Sequence, residues 1–109
     1  DVVKIENANG VGDRFRGGAT TPSPAFAFAN RGKRSVTLDT KHPDGAGALR
    51  KLTAGADVFL QNFRPGVAAR MGVGYDDLRA LNPGIVYVSV SGFGSDGPYA
   101  DQMVYDFVI

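Results

Sequence analysis

The sequence predicts an α/β fold, a mostly parallel sheet with flanking helices, on three observations. Short β-branched runs recur at residues 1–6, 35–39, 57–61 and 85–90. Stretches of helical period separate the later runs, and 15 Gly and 6 Pro in 109 residues punctuate the changes of period. Strand, helix, strand, helix, strand is the order that parallel strands joined by crossovers produce.

Each element has a local reason. Val2, Val3 and Ile5 make residues 1–6 a candidate buried strand. Residues 7–24, rich in Gly, Thr, Pro and Asn and charged at Asp13, Arg14 and Arg16, carry no sustained period. A loop of that length in a compact domain is expected to be functional or mobile. Residues 25–29 alternate Ala with Phe26 and Phe28, a pattern open to a strand or to a turn of buried helix. Val36 and Leu38 support a strand over 35–39. Pro43 suits a first helical turn and Asp44 its positive end, with Ala48, Leu49, Leu52 and Ala56 expected on one face and Gly55 as the stop. Val58, Phe59 and Leu60 read as a second buried strand ending at Asn62. Pro65 and Gly66 open a short helix that ends near Met71 and Gly72. Residues 75–81 form another, closed by Asn82 before Pro83, and 85–90 form the last strand.

Composition narrows the chemistry. With 12 Lys+Arg against 11 Asp+Glu and 43% hydrophobic residues, the chain has the makeup of an ordinary globular domain. A net charge of +1 gives no electrostatic case for nucleic acid or an anionic membrane. The apolar run at 85–90 falls far short of the roughly 18 residues that cross a bilayer. The absence of Cys removes disulfides, thiolate nucleophiles and sulfur-ligated zinc, and the single His42 rules out a two-histidine metal site, so no metal is expected. The chain opens on an apolar run without Met and closes on another, from which a fragment of a longer protein, truncated at both ends, is expected.

In parallel α/β sheets ligands bind beyond the carboxyl ends of the strands. Here those ends are residues 6–12, 38–41, 62–64 and 89–97, and a single crevice gathering Lys41, Asn62, Arg64 and Arg70 is the site they predict. Lys33, Arg34, Lys41, Arg64 and Arg70 suit phosphate, and they equally suit ordinary surface charge. Asn62, Phe63, Arg64, Pro65 and Gly66 offer amide donors, a helix start and a stacking face, although turn chemistry alone selects Asn, Pro and Gly. Gly92, Gly94 and Gly97 match the spacing of a dinucleotide fingerprint, but Pro98 interrupts the helix that fingerprint must open. A loop over a ligand, or a plain surface loop, fits better. His42 reads as a solvated or capping residue, and Asp106 as a site carboxylate or a complement to a helix dipole.

Taken in order, Val2-Val3-Lys4-Ile5-Glu6, Gly12-Asp13 with Arg16, Asn30-Arg31-Gly32-Lys33-Arg34-Ser35, Leu38-Asp39-Thr40-Lys41, Ala56-Asp57-Val58-Phe59, Asn62-Phe63-Arg64-Pro65-Gly66, Leu81-Asn82-Pro83 and Ser91-Gly92-Phe93-Gly94 with Gly97-Pro98-Tyr99 closely resemble the family III coenzyme A transferases, the CaiB/BaiF group. The resemblance runs over essentially the whole chain. It implies a Rossmann-like large domain, of which residues 1–109 would be a partial, coenzyme A-binding piece, in a cytoplasmic enzyme that forms an interlocked homodimer. It also implies transfer of coenzyme A from an acyl-CoA thioester to a small carboxylic acid through an aspartyl covalent intermediate.

By position, the resemblance implies that Leu38, Asp39, Thr40 and Lys41 line the coenzyme A pocket, with Lys41 near the adenosine phosphates. Asn62, Phe63 and Arg64 would follow the pantetheine and phosphates, Arg70 would bind a phosphate, and Met103, Val104, Tyr105 and Asp106 would line the route to the thioester. Tyr105 and Asp106 take supporting roles, because the nucleophilic Asp is expected beyond Ile109, and the fragment alone is expected to be inactive. Asn7 stands where the family often has Arg, a contact that Arg14 or Arg16 would replace. Tyr105 stands where the family's racemases carry His, which argues for transfer over an α-methylacyl-CoA racemase. A noncatalytic nucleotide-binding module is the alternative from a different class.

Overall fold

Which strands pair is a matter of long-range hydrogen bonding, and a computed structural model describing residues 1–7, 22–102 and 104 supplies it. The chain divides into two compact units, 1–45 and 46–109. The elements are β1 (Val3–Asn7), α1 (Pro24–Ala29), β2 (Arg34–Leu38), α2 (Pro43–Ala54), β3 (Val58–Gln61), α3 (Val67–Arg70), α4 (Tyr75–Leu81) and β4 (Val86–Ser89). The strands form two parallel pairs, β1 with β2 and β3 with β4, as two two-stranded sheets where the sequence suggested a single one. The predicted α/β class with parallel strands and flanking helices is thus present, with every predicted helix and strand within a residue or two of its expected place. No helix among the described residues is long and apolar enough to cross a membrane.

In the first unit, β1 and β2 pair from Val3 opposite Arg34 to Asn7 opposite Leu38. Parallel strands cannot be joined by a tight turn, so the chain between them must cross over. Part of that crossover is α1, which settles the ambiguity at residues 25–29 in favour of helix. Ser23 caps it, its Oγ accepting the Phe26 N–H at 3.1 Å, and Pro24 occupies the first turn. Capping therefore outweighs the period-2 alternation. The expectation of burial is not met, since α1 buries no residue and Phe28 is 88% exposed. Nor is β1 a buried strand, its inner residues being only half-buried. Residues 8–21, including Gly12, Asp13, Arg14 and Arg16, lie outside the described residues.

The passage from β2 into α2 is a tight turn. Asp39 Oδ1 accepts the Lys41 N–H at 3.0 Å and its carbonyl accepts the His42 N–H at 3.1 Å. A Cβ on Gly45 would run into the Asp39 carbonyl, so the first turn of the helix sits against backbone that only glycine admits. His42 Nδ1 accepts the Asp44 N–H at 3.3 Å, in keeping with a capping role.

In α2 the buried residues are Leu49 and Thr53, four apart on one line, while Leu52 is 44% exposed, contrary to expectation. Thr53 tolerates burial because its hydroxyl donates to the Leu49 carbonyl at 2.9 Å.

In the second unit, β3 and β4 pair from Val58 opposite Val86 to Gln61 opposite Ser89. Val73 and Leu78, each 1% exposed, are the most deeply buried side chains there, with Ala68 and Ile85 also buried. Phe59 stacks on Tyr87 with centroids 5.4 Å apart, and Tyr75 meets Tyr87 edge-on at 5.9 Å. Because side chains alternate along a strand, Val58 and Leu60 point to the other face, where Leu60 is 67% exposed. The expectation of a fully buried strand is corrected accordingly: β3 is one-sided.

Candidate functional site

The carboxyl ends of β3 and β4 open onto a cleft of about 210 Å³ within the second unit. One wall is the loop 62–66, which turns out of β3 into α3. The Arg64 carbonyl accepts the Val67 N–H at 3.1 Å, and Gly66 takes a left-handed φ of 77°. The opposite wall is the chain leaving β4. Ser91 Oγ accepts the Gly94 N–H at 3.1 Å, and Gly94 and Gly97 hold φ values of 86° and 93°. Phe93 and Tyr99 meet at 5.5 Å across this loop. No helix opens from it among the described residues. The loop contributes Ser91, Gly94 and Ser95 to the lining of the cleft.

Of the predicted site residues, Phe63 and Arg64 line the cleft. Arg70 closes α3, and its Nη1 lies 3.1 Å from where a Cβ on Gly66 would stand, so its guanidinium folds back beside the loop. Asn62 is exposed and is not part of the lining. Val104 packs against Gly92 so closely that a Cβ there would overlap it. Leu38, Asp39 and Thr40 are half-buried and Lys41 exposed at the end of β2, in the first unit. Met103, Tyr105 and Asp106 lie outside the described residues.

The electrostatics of the cleft are one-signed. Among the described residues of its lining, Arg64 is the only side chain ionised at neutral pH, and none is a carboxylate. The hydroxyls of Ser89, Ser91 and Ser95 add donors, and the Phe63 ring adds an apolar face. Attraction for an anion therefore comes from side chains. The helix dipole invoked from sequence contributes little, since α3 is a single four-residue turn. Burial raises the pKa of the Tyr87 phenol, with the Asp77 carboxylate adding in the same direction and the Gln61 amide opposing. The Tyr87 hydroxyl donates to the Val73 carbonyl at 3.2 Å.

Gln61 is the functional candidate that sequence reasoning passed over. It is 9% exposed, its Oε1 accepts the Phe63 N–H at 2.6 Å, and its Nε2 donates to Ser89 Oγ at 2.8 Å. A signal was available, because a Gln at the last inward position of an apolar strand must find polar partners.

The basic group at 33–34 lies elsewhere, beside a groove of about 260 Å³ lined also by Lys4, Phe26, Asn30 and Ser35. Its cations already have partners. Lys4 Nζ sits 4.3 Å from the Phe26 ring centroid and 3.8 Å from Glu6, Arg34 lies 2.9 Å from Asp1, and Lys33 donates to Asn30 Oδ1 at 3.4 Å. Among the described residues no group of three His, Cys, Asp or Glu side chains is arranged to hold a metal.

The profile of the CoA-transferase family III matches residues 1–109. The succinate–glutarate CoA-transferase of Agrobacterium fabrum is 40% identical over 119 aligned residues, covering 100% of this chain and 30% of the relative. A formyl-CoA:oxalate CoA-transferase of Rhodopseudomonas palustris is 44% identical over 112 residues, covering 99% of this chain and 26% of the relative. Among solved structures, a CaiB/BaiF family protein from Brucella suis superposes with a TM-score of 0.87 at 40% identity, over 99% of this chain and 30% of that one. The chain thus spans between 26% and 30% of the length of these proteins.

Proposed function

The chain belongs to the CoA-transferase family III, and from that premise we propose that it supplies part of the coenzyme A pocket of an enzyme moving coenzyme A from an acyl thioester to a free carboxylic acid. The observation that carries the reading is the cleft at the β3 and β4 ends, with Arg64 as the one ionised side chain among its described lining residues and Phe63 beside it. Coenzyme A combines phosphates with a long, largely uncharged arm. A guanidinium pairs with phosphate through charge-assisted, often bidentate hydrogen bonds, and an aromatic face with flanking hydroxyls suits the arm.

In the proposed enzyme Arg64 and Arg70 hold phosphate, while Asn62 and Phe63 follow the pantetheine. By family position, Leu38, Asp39, Thr40 and Lys41 also bind coenzyme A, with Lys41 directed to an adenosine phosphate. Met103 and Val104 border the thioester route, and Tyr105 and Asp106 support the reacting groups. The nucleophile is an Asp carboxylate outside residues 1–109. It attacks the thioester carbonyl, forming a mixed anhydride and expelling the coenzyme A thiolate. That thiolate then attacks the aspartyl carbonyl, releasing the donor acid and leaving an aspartyl-CoA thioester. The acceptor carboxylate repeats the two steps in reverse, regenerating the Asp. The enzyme is a cytoplasmic, interlocked homodimer, as the family resemblance implies.

Titration of coenzyme A into the family-length protein tests the assignment. Removal of a charged hydrogen-bond donor in Arg64→Ala is expected to weaken binding by about 10- to 100-fold. Unchanged affinity would remove the cleft from the pocket. Exchange of an α-proton for deuterium without any acceptor acid would overturn transfer in favour of racemisation.

A further inference from the structure

We propose that Gln61 is a positioning residue that sets the loop 62–66 for cofactor binding, an inference that rests on the coenzyme A reading above. The backbone N–H of Phe63 can only donate, so the amide oxygen of Gln61 must face it, and does so at 2.6 Å. The amide nitrogen is thereby turned toward Ser89, donating to its Oγ at 2.8 Å. Gln61 and Ser89 are also direct partners in the parallel register, and the Val90 N–H reaches the Gln61 carbonyl at 2.9 Å. One side chain therefore ties the first turn of the β3–α3 loop to the end of β4.

That tie falls where it governs the cleft. Phe63 and Arg64 both line it, and their backbone is held at its near side by the Gln61 amide and at its far side by the Val67 N–H on the Arg64 carbonyl. Gln61 also borders the cleft, but it is only 9% exposed and both atoms of its amide are engaged by Phe63 and Ser89, so it acts on a ligand through the loop it holds. A leucine of similar volume removes both hydrogen bonds and leaves the Phe63 N–H without its acceptor.

The experiment compares Gln61→Leu and Arg64→Ala in the family-length protein by coenzyme A titration and by steady-state transfer kinetics. Gln61→Leu is expected to raise the Kd for coenzyme A and the KM for acyl-CoA by about 10-fold with kcat within about twofold of wild type. Wild-type affinity in Gln61→Leu, or a loss confined to kcat, would overturn the positioning role. If Arg64→Ala also binds normally, it is the coenzyme A reading of the cleft that has failed. Should Gln61→Leu not fold, Ser89→Ala replaces it: about threefold weaker binding is expected from loss of the Nε2 acceptor, and unchanged binding overturns the proposal.

Discussion

Tyr87 illustrates how a single side chain in this cleft couples burial to protonation. Its ring lies between Phe59 and Tyr75, and its hydroxyl donates to the Val73 carbonyl. Burial raises its pKa above the usual value near 10, so between that value and the folded one the native state keeps a proton the unfolded chain has lost. The stabilisation from Tyr87 is therefore complete below pH 10 and declines as the pH climbs above it. Tyr87→Phe is expected to cost about 1 kcal/mol at pH 8 through the lost hydrogen bond. The gap to wild type should narrow on passing above pH 10, as read from urea midpoints at both pH values. A gap that widens would contradict the stated cause. At this scale the sequence placed Phe63 and Arg64 at a strand end, where they line the cleft, because a strand end followed by Pro and Gly is a local signal. It did not locate Gln61, whose partner Ser89 is 28 positions away.

At the scale of elements, helix ends were more legible than helix faces. In α4, Gly74 precedes the first turn and Asp77 Oδ2 accepts the Gly74 N–H at 3.0 Å, satisfying one of the amides that no helix can satisfy internally. Asp77→Ala is expected to cost about 1 kcal/mol, a fall in Tm of roughly 4–8 °C for a domain of this size, with Asp77→Asn recovering part of it. A Tm unchanged in Asp77→Ala by thermal circular dichroism would show that the cap carries no weight. The stop at Asn82 before Pro83 is read from adjacent residues, which is why residues 75–81 emerged from sequence with the bounds the structure has. The face of α2 did not, since choosing Thr53 over Leu52 depends on what the helix packs against.

For the whole molecule, the same limit appears in the two parallel pairs. A two-stranded sheet is marginal unless its faces are covered. The second unit covers one face of β3 and β4 with the residues around Val73 and Leu78 and leaves Val58, Leu60 and Val86 exposed. The 109-residue chain prepared alone is expected to self-associate with increasing concentration, and Leu60→Lys to reduce that association, both measured by light scattering. A chain that stays monomeric throughout would show that these side chains do not drive contact.

The sequence by itself determined the element order, the helix start at Pro43, the turn at 62–66, and a family resemblance that the profile match over residues 1–109 upholds. Those features depend on capping residues, glycines and side-chain periods that act between near neighbours. Only the tertiary structure decided that the strands pair as β1 with β2 and β3 with β4, that β3 is buried on one side, and that Gln61 joins two strand ends. Such contacts join residues far apart in the chain, and a period measured along one segment carries no information about what lies across from it.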